Sequence, residues 1–414
     1  LYTTIHCRKY ILTFLYCLQL KFAKLSNYSK VCNNSFIYIW ISEFLVLIYN
    51  YKVFFIMKGM LYIMKAAVWY GQKDVRVEDR EPKELKDNEV KVKVSWAGIC
   101  GTDLHEYLEG PVFISTDKPD PFLGQKAPVT LGHEFSGIVE EVGKDVTKYK
   151  KGDRVVVNPT VSAREKEENL DLYDGYTFIG LGSDGGFAEF TNAPEDNVYH
   201  LPENVSAQEG ALVEPTAVAV QAVKEGNLLF GDTVAIFGAG PIGLLTVVAA
   251  KAAGASKIFV FDLSEERLAK AKEVGATHVV NSGHTDPLEF VNEHTENGVD
   301  VTFEVAGVGV TLAQSVKVTR PRGSVVIVSI FAHEVNFDPM LLTNSGVKLT
   351  STIAYTPTTF QQTIDLIANG SLDVKSVVTD KIELADIVES GFNQLVNDKS
   401  QAKILVKLNG DQKY

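Results

Sequence analysis

Residues 233–262, TVAIFGAGPIGLLTVVAAKAAGASKIFVFD, constrain the fold more than any other stretch of the chain. Thr233 to Phe237 is a short apolar run of the kind that forms a strand buried on both faces. Gly238, Gly240 and Gly243 follow as G-x-G-x-x-G. Pro241 to Ala253 is rich in Ala and Leu and predicts a packed helix, which Gly254 ends. Lys257 to Phe261 predicts a second buried strand, with Asp262 at its carboxyl end. Strand, glycine turn, helix and strand in this order predict a doubly wound parallel α/β sheet.

Each piece has a task in a dinucleotide site. Gly238 permits the tight turn out of the strand, Gly240 lets the backbone approach a pyrophosphate, and Gly243 lets the helix pack closely on the sheet. The helix N-terminus offers free N–H groups and a positive dipole end to the phosphates. Gly238, Gly240, Pro241, Ile242 and Gly243 are therefore the predicted phosphate-side residues. Asp262 stands 24 positions after Gly238, near the spacing of an acid that binds ribose hydroxyls. A carboxylate there repels a 2′-phosphate, so NAD is predicted over NADP. The glycine pattern alone is a weak signal and also occurs as a plain turn in other α/β proteins. Here the strand, the helix and the acid supply the context it needs.

The chain of 414 residues is 45% hydrophobic, enough for two or three domains with real cores. Its formal charge of −12 argues against a nucleic-acid partner. Cys7, Cys17 and Cys32 fall in the first segment and only Cys100 in the rest. No disulfide framework exists within that rest, which suits a reducing cytoplasm.

Residues 1–63 differ in composition from the rest of the chain. They hold one Gly, no Pro, no Asp and one acid, Glu43, against seven Lys and Arg. Phe36 to Tyr49 is apolar but carries Glu43 in its middle, and it is shorter than the roughly 20 residues a membrane span needs. It comes too late for a secretory signal. The abundance of Ile, Tyr, Phe, Leu, Asn and Lys is that of translated AT-rich sequence. The expectation is an upstream leader that is not part of the fold, with the enzyme starting at Met64.

From Met64 the composition becomes ordinary. Lys65–Trp69, Glu89–Trp96, Phe135–Val142 and Asp153–Val157 are short β-branched runs separated by turns such as Gly143-Lys144-Asp145, and predict a small all-β unit. Within it lie Cys100-Gly101-Thr102-Asp103-Leu104-His105 and Gly132-His133-Glu134, with Glu214-Pro215 further on. Cys, His and Glu are competent zinc ligands, and three protein ligands with one open position describe a catalytic site. Singly, each has a plainer reading as a buried thiol, a core histidine or a surface acid. Together, upstream of a nucleotide fold, they point to a metal.

CGTDLH, GHEFSG, GDRV, the EP step and GAGPIG, in this order, resemble the zinc-containing medium-chain alcohol dehydrogenases, over essentially all of 64–414. Within that family MKAAVWYG, HEYLEGPVFI and KAPVTLGHEFSG are most similar to the butanediol dehydrogenase branch, with sorbitol and threonine dehydrogenases next. The resemblance implies a GroES-like catalytic domain, 64–217 and 350–414, interrupted by a Rossmann domain, 218–349. It implies one catalytic zinc held by Cys100, His133 and an acid. Glu214 takes the place of the third ligand, and Glu134 is a direct ligand in some relatives. Many members carry a second zinc on four clustered cysteines. The corresponding stretch, Asn158 to Leu181, has no cysteine, so that Cys₄ zinc is excluded and a charged surface lobe is expected instead.

The implied reaction is a reversible, NAD-linked oxidation of a vicinal diol to its ketone, with the metal as Lewis acid. Thr102 is implied to accept a hydrogen bond from the substrate hydroxyl, in a relay that continues through the cofactor ribose to His105 and solvent; the ordinary pKa of His105, near 6.5, suits the role. Family analogy places Val305, Ser329 and Ile330 near the nicotinamide, and Arg267 reads either as approaching the adenosine ribose or as a helix-surface arginine. It also implies a homodimer or homotetramer and no membrane partner. Further strands are predicted at His278–Asn281, Val299–Glu304, Ser324–Ile330 and Ala402–Leu408. Helices are predicted at Glu265–Val274, Thr359–Asn369 and Leu384–Val396, and Val347–Tyr355 is expected to return the chain to the catalytic domain.

Overall fold

Valine-rich runs punctuated by glycine turns build the first part of the molecule. The computed structural model describes residues 63–162 and 175–410. The expected leader, all but Ile63, and the charged stretch from Arg164 to Glu168 lie outside the described residues. Strands β1 (Met64–Gly71), β2 (Asp74–Arg80) and β4 (Val129–Thr130) form a small antiparallel sheet in the order β2-β1-β4. The larger sheet uses β3 (Glu89–Gly98), β5 (Glu134–Val142), β6 (Arg154–Val157), β9 (Phe190–Pro194) and β10 (Val198–His200). It is completed by β17 (Val378–Glu383) and β18 (Lys403–Lys407) from the end of the chain. The order is β10-β6-β5-β3-β18-β17, with β9 also paired to β3. Val90, Val92, Val94, Phe135, Val139, Val155, Ile404 and Val406 pack one common core. Strands β7 (Thr160–Ser162) and β8 (Tyr176–Phe178) pair antiparallel where the lobe was expected.

The all-β expectation for this part needs one correction. Gly101–Glu109 is a helix, α1. Cys100 is its N-cap, and its N–H donates to Asp103 Oδ2 at 2.9 Å, a capping-box bond that starts a helix in a strand-rich region.

The glycine-rich unit folds as predicted. Its strands are β11 (Thr233–Phe237), β12 (Lys257–Asp262), β13 (His278–Asn281), β14 (Val299–Glu304), β15 (Thr319–Ile327) and β16 (Lys348–Ser351). All six are parallel and lie in the order β13-β12-β11-β14-β15-β16. Helices α2 (Val213–Glu225), α3 (Pro241–Ala252) and α4 (Glu265–Val274) accompany them, with α5 (Gly309–Val318) after β14 and α6 (Pro357–Ala368) after β16. Val234, Ile236, Val260 and Leu244 fill the core on one face, and Ala235, Phe237, Phe259 and Phe261 that on the other. The alternation follows from the two-residue repeat of a strand buried on both faces.

Three boundaries differ from expectation. β15 ends at Ile327, so Ser329 and Ile330 lie in the loop beyond it. Lys348–Ser351 does not leave for the catalytic part. It pairs with β15 as the edge strand of the parallel sheet, and the return follows it. Residues 384–397 are a 3₁₀ turn, a π turn over Ile387–Asn393 and a last α turn, not one α-helix. Among the described residues no helix is long and apolar enough to cross a membrane.

Candidate active site

Three neighbouring strands assemble the metal-ligand candidates. β5 begins at Glu134, directly opposite Gly98 at the end of β3, and β18 flanks β3 on its other side. Cys100 follows β3 by two residues, and His133 precedes β5 by one. Cys100, His133 and Glu134 each offer a ligand atom, and all these atoms lie within 4.8 Å of one another. Gly132 makes the approach possible. It holds φ at +94°, and a Cβ there would stand 2.7 Å from the Phe187 backbone nitrogen.

The residues fit a zinc ion. Thiol, imidazole and carboxylate are its usual donors, and three of them leave a fourth position open. Glu134 is fully buried, and its two oxygens are used differently. Oε2 accepts from the Lys403 ammonium, and Oε1 has no hydrogen-bond partner. His133 Nδ1 also lacks one, standing 3.6 Å from the equally unpartnered Asp103 Oδ1. Burial pushes the His133 pKa down, but the Asp103 and then the Cys100 charge outweigh it and hold it well above the ordinary value. A protonated imidazole must release its proton to bind a metal, so loading here is coupled to pH.

Glu214, expected in the third-ligand place, is not a member of the close group. It lies on the first turn of α2, buried, and accepts a hydrogen bond from the Tyr355 hydroxyl at 3.0 Å. Burial pushes its carboxyl up to about 7; His133 pulls it down and Glu134 pushes it up. Glu214 therefore feels the charges of the close group, but Glu134 is the acid within reach of Cys100 and His133. Thr102 and His105 lie half-buried on α1, and the Cys100 thiol stands 3.8 Å from the Thr102 hydroxyl.

The cofactor candidates sit at the carboxyl edge of the parallel sheet. Gly238 has φ +105° and turns the chain out of β11. A Cβ on Gly240, the N-cap of α3, would meet nothing within 4 Å, so the space before the helix is open. A Cβ on Gly243 would lie 1.9 Å from the Gly238 carbonyl, so this glycine packs the helix on the turn rather than on the strand. Pro241 and Ile242 form the first turn of α3. Asp262 Oδ2 accepts from the Ala239 N–H at 2.7 Å, and Oδ1 from the Leu263 and Ser264 N–H groups. The acid thus braces the glycine turn. Arg267, on α4, has a buried Nε without a partner. Val305 follows β14, while Ser329 and the half-exposed Ile330 follow β15.

The two halves of the site adjoin. Phe178 lies 6.2 Å from the His133 ring and 5.4 Å from Tyr176, and Tyr176 lines a cleft of about 500 Å³ with Ile327, Ser329 and Ile353. Sequence reasoning missed three contributors. Asp103 carried little signal, because Cys-x-x-Asp departs from the Ser/Thr-x-x-Glu/Gln pattern that marks a helix start. Lys403 and Tyr355 carried none, since each partner is more than a hundred residues away.

Comparison with known proteins agrees with this geometry. The description "Alcohol dehydrogenase GroES-like domain" matches residues 86–203, and "Zinc-binding dehydrogenase" matches residues 241–369. The chain is 46% identical to the (R,R)-butanediol dehydrogenase of Bacillus subtilis over 84% of its own length and 100% of the relative's. It is 33% identical to a sorbitol dehydrogenase of the same organism, over 83% of this chain and 97% of that one. The crystal structure of 2R,3R-butanediol dehydrogenase from B. subtilis superposes with a TM-score of 0.80 at 45% identity, covering 84% of this chain and all of that one. With a thiol, an imidazole and a carboxylate gathered beside a dinucleotide fold, the chain belongs to the zinc-binding medium-chain alcohol dehydrogenases.

Proposed function

We propose that this enzyme oxidises (R,R)-2,3-butanediol to acetoin with NAD, and reduces acetoin in reverse. The close approach of Cys100, His133 and Glu134 carries the reading, and the similarity to butanediol dehydrogenases along their whole length supports the substrate. Cys100, His133 and Glu134 hold the zinc, and Glu214 lies beyond them as a nearby acid. When bound, zinc supplies a Lewis acid for the substrate oxygen and NAD supplies the hydride acceptor.

The chain's own residues do the rest. Thr102 Oγ1 accepts a hydrogen bond from the reacting hydroxyl and takes its proton only as it gives up its own, which leaves by way of the cofactor ribose to His105 and from there to solvent. Gly238, Gly240, Pro241, Ile242 and Gly243 receive the pyrophosphate at the start of α3. Asp262 binds the ribose hydroxyls with Arg267 beside it, and Val305, Ser329 and Ile330 flank the nicotinamide. Residues 64–217 and 350–414 form the catalytic domain, and 218–349 the nucleotide domain. The working form is a cytoplasmic homodimer or homotetramer.

The test is a substrate panel of butanediol stereoisomers, sorbitol and threonine, with NAD and NADP, before and after chelation. Fastest turnover of (R,R)-butanediol with NAD, lost on chelation and restored by zinc, is the expected result. Preference for sorbitol or threonine would move the enzyme to a neighbouring branch of the family. Full activity without metal would end the zinc reading.

A further inference from the structure

We propose that Glu304 is a positioning residue that ties together the loops on the nicotinamide side of the sheet; this rests on the reading that the sheet binds NAD. Glu304 is the last residue of β14 and is fully buried. In register it stands beside Phe237 of β11 and Ile327 of β15, so the loops after all three strands start level with it. Its Oε1 accepts from the Ala306 N–H at 3.1 Å, the Gly307 N–H at 3.0 Å and the Thr311 hydroxyl at 2.7 Å. Its Oε2 accepts from the Ser329 hydroxyl. Its backbone carbonyl accepts from Val328 and Ser329 at 2.9 and 3.3 Å.

The loops so joined have little freedom. Gly307 holds φ at +74°, and a Cβ there would stand 2.7 Å from the Ile330 carbonyl. The Val305 N–H donates to the Phe237 carbonyl at 2.9 Å, and a Cβ on Gly238 would lie 3.1 Å from the Val305 carbonyl carbon. One buried carboxylate therefore joins the loop after β14 to the loop after β15, and the Val305 backbone bond ties the first of these to the end of β11 before the glycine turn. Burying a carboxylate is costly unless donors surround it, and here four do.

The restraint acts on one half of the cofactor. A dinucleotide lies across the point where the strand order reverses, here between β11 and β14. Asp262 sits on the β12 side, where the adenosine ribose binds. Residues 305–307 and 329–330 sit on the other side, under the nicotinamide. A residue needed only for folding of the sheet would affect both halves alike, whereas Glu304 should affect the nicotinamide half.

The experiment is fluorescence titration with NADH, and competition by ADP-ribose, which lacks the nicotinamide. It compares the unsubstituted enzyme with E304L, E304Q and T311V. E304L leaves the Ala306 and Gly307 N–H groups and the Ser329 hydroxyl without their acceptor, while Thr311 keeps the Val308 carbonyl, and should weaken NADH about ten-fold while changing ADP-ribose less than about two-fold. Gln keeps one oxygen for the three Oε1 donors and offers an N–H to the Ser329 oxygen, so E304Q should bind both ligands like the parent. T311V removes one donor to Oε1 at a residue outside the cofactor-lining set, and should weaken NADH about three-fold with ADP-ribose unchanged. Should E304L fail to fold, T311V decides. Equal weakening of both ligands, or unchanged NADH affinity in T311V and E304L, would overturn the proposal. If the unsubstituted enzyme turned over no diol, the substrate reading would fail, and the paired titration would still decide the role of Glu304.

Discussion

Lys403 Nζ and Glu134 Oε2 meet across β3, although 269 residues separate them in the chain. Both side chains are essentially fully buried. The ammonium also donates to the Ile99 carbonyl at 3.0 Å. They meet over Gly98, where a Cβ would stand 2.1 Å from Glu134 Oε2 and 3.2 Å from Lys403 Cε. A glycine in the middle strand is therefore a condition for the pair. Burial pushes the Lys403 pKa down, but Glu134 and then Cys100 outweigh it and hold it above the ordinary value.

Removing the ammonium should strand a buried carboxylate beside the metal ligands. K403M is expected to destabilise the protein by about 3–5 kcal/mol, with zinc bound less tightly; K403R should recover part of both. G98A should act in the same direction by pushing Glu134 aside. Urea unfolding and zinc content per chain check this, and a fully stable K403M with normal zinc would refute it.

Loss of a metal ligand should remove both ion and activity. C100S and H133A are expected to lower kcat on the order of 100-fold or more, the scale of a Lewis acid worth several kcal/mol. Zinc measured by mass spectrometry should fall well below one per chain. E214Q should keep more zinc than E134Q, because Glu214 stands outside the close group.

Asp262 should govern the choice of cofactor. D262N removes the charge that repels a 2′-phosphate, so the ratio of kcat/KM for NAD over NADP should narrow at least about ten-fold. D262A should also weaken NAD itself, because it leaves the Ala239 N–H of the glycine turn without its acceptor. An unchanged ratio in D262N would place the discriminating residue elsewhere.

Glu214 should make the metal-free protein sensitive to pH. Its carboxyl is pushed from an ordinary value of 4.5 up to about 7, chiefly by burial. The folded state therefore holds the proton more tightly than the unfolded one. The stability this contributes is fully present below about pH 4.5 and is lost as pH rises through about 7. Against E214Q, the metal-free enzyme should lose at most about 3 kcal/mol across that window. Urea midpoints of the two proteins from pH 4.5 to 7.5 test it, and parallel curves would contradict the assignment.

How much was legible from the sequence depended on distance along the chain. β11, α4, β13 and β14 were readable to the residue, and β12 to within one, because their signals are local: apolar runs, glycine stops and an acid at a fixed offset. α1 was not, because an N-cap cysteine does not look like a start signal and its Asp103 partner was read as part of a metal motif. The fate of 348–351 was equally hidden. A four-residue strand carries no mark of the sheet it joins, and only pairing with Ser324 to Ile327 settles it.

The order of residues alone determined the chemistry available. It set a thiol, an imidazole, two acids, a threonine and a glycine turn at spacings that suit a zinc- and nucleotide-dependent dehydrogenase. Only the tertiary structure decided which acid stands with Cys100 and His133, that Lys403 answers Glu134, and that Glu304 joins the loops after β14 and β15. The physical reason is that a ligand set depends on strand neighbours. The order β5-β3-β18 brings Glu134, Gly98 and Lys403 together, and no pattern within any one of those segments names the other two.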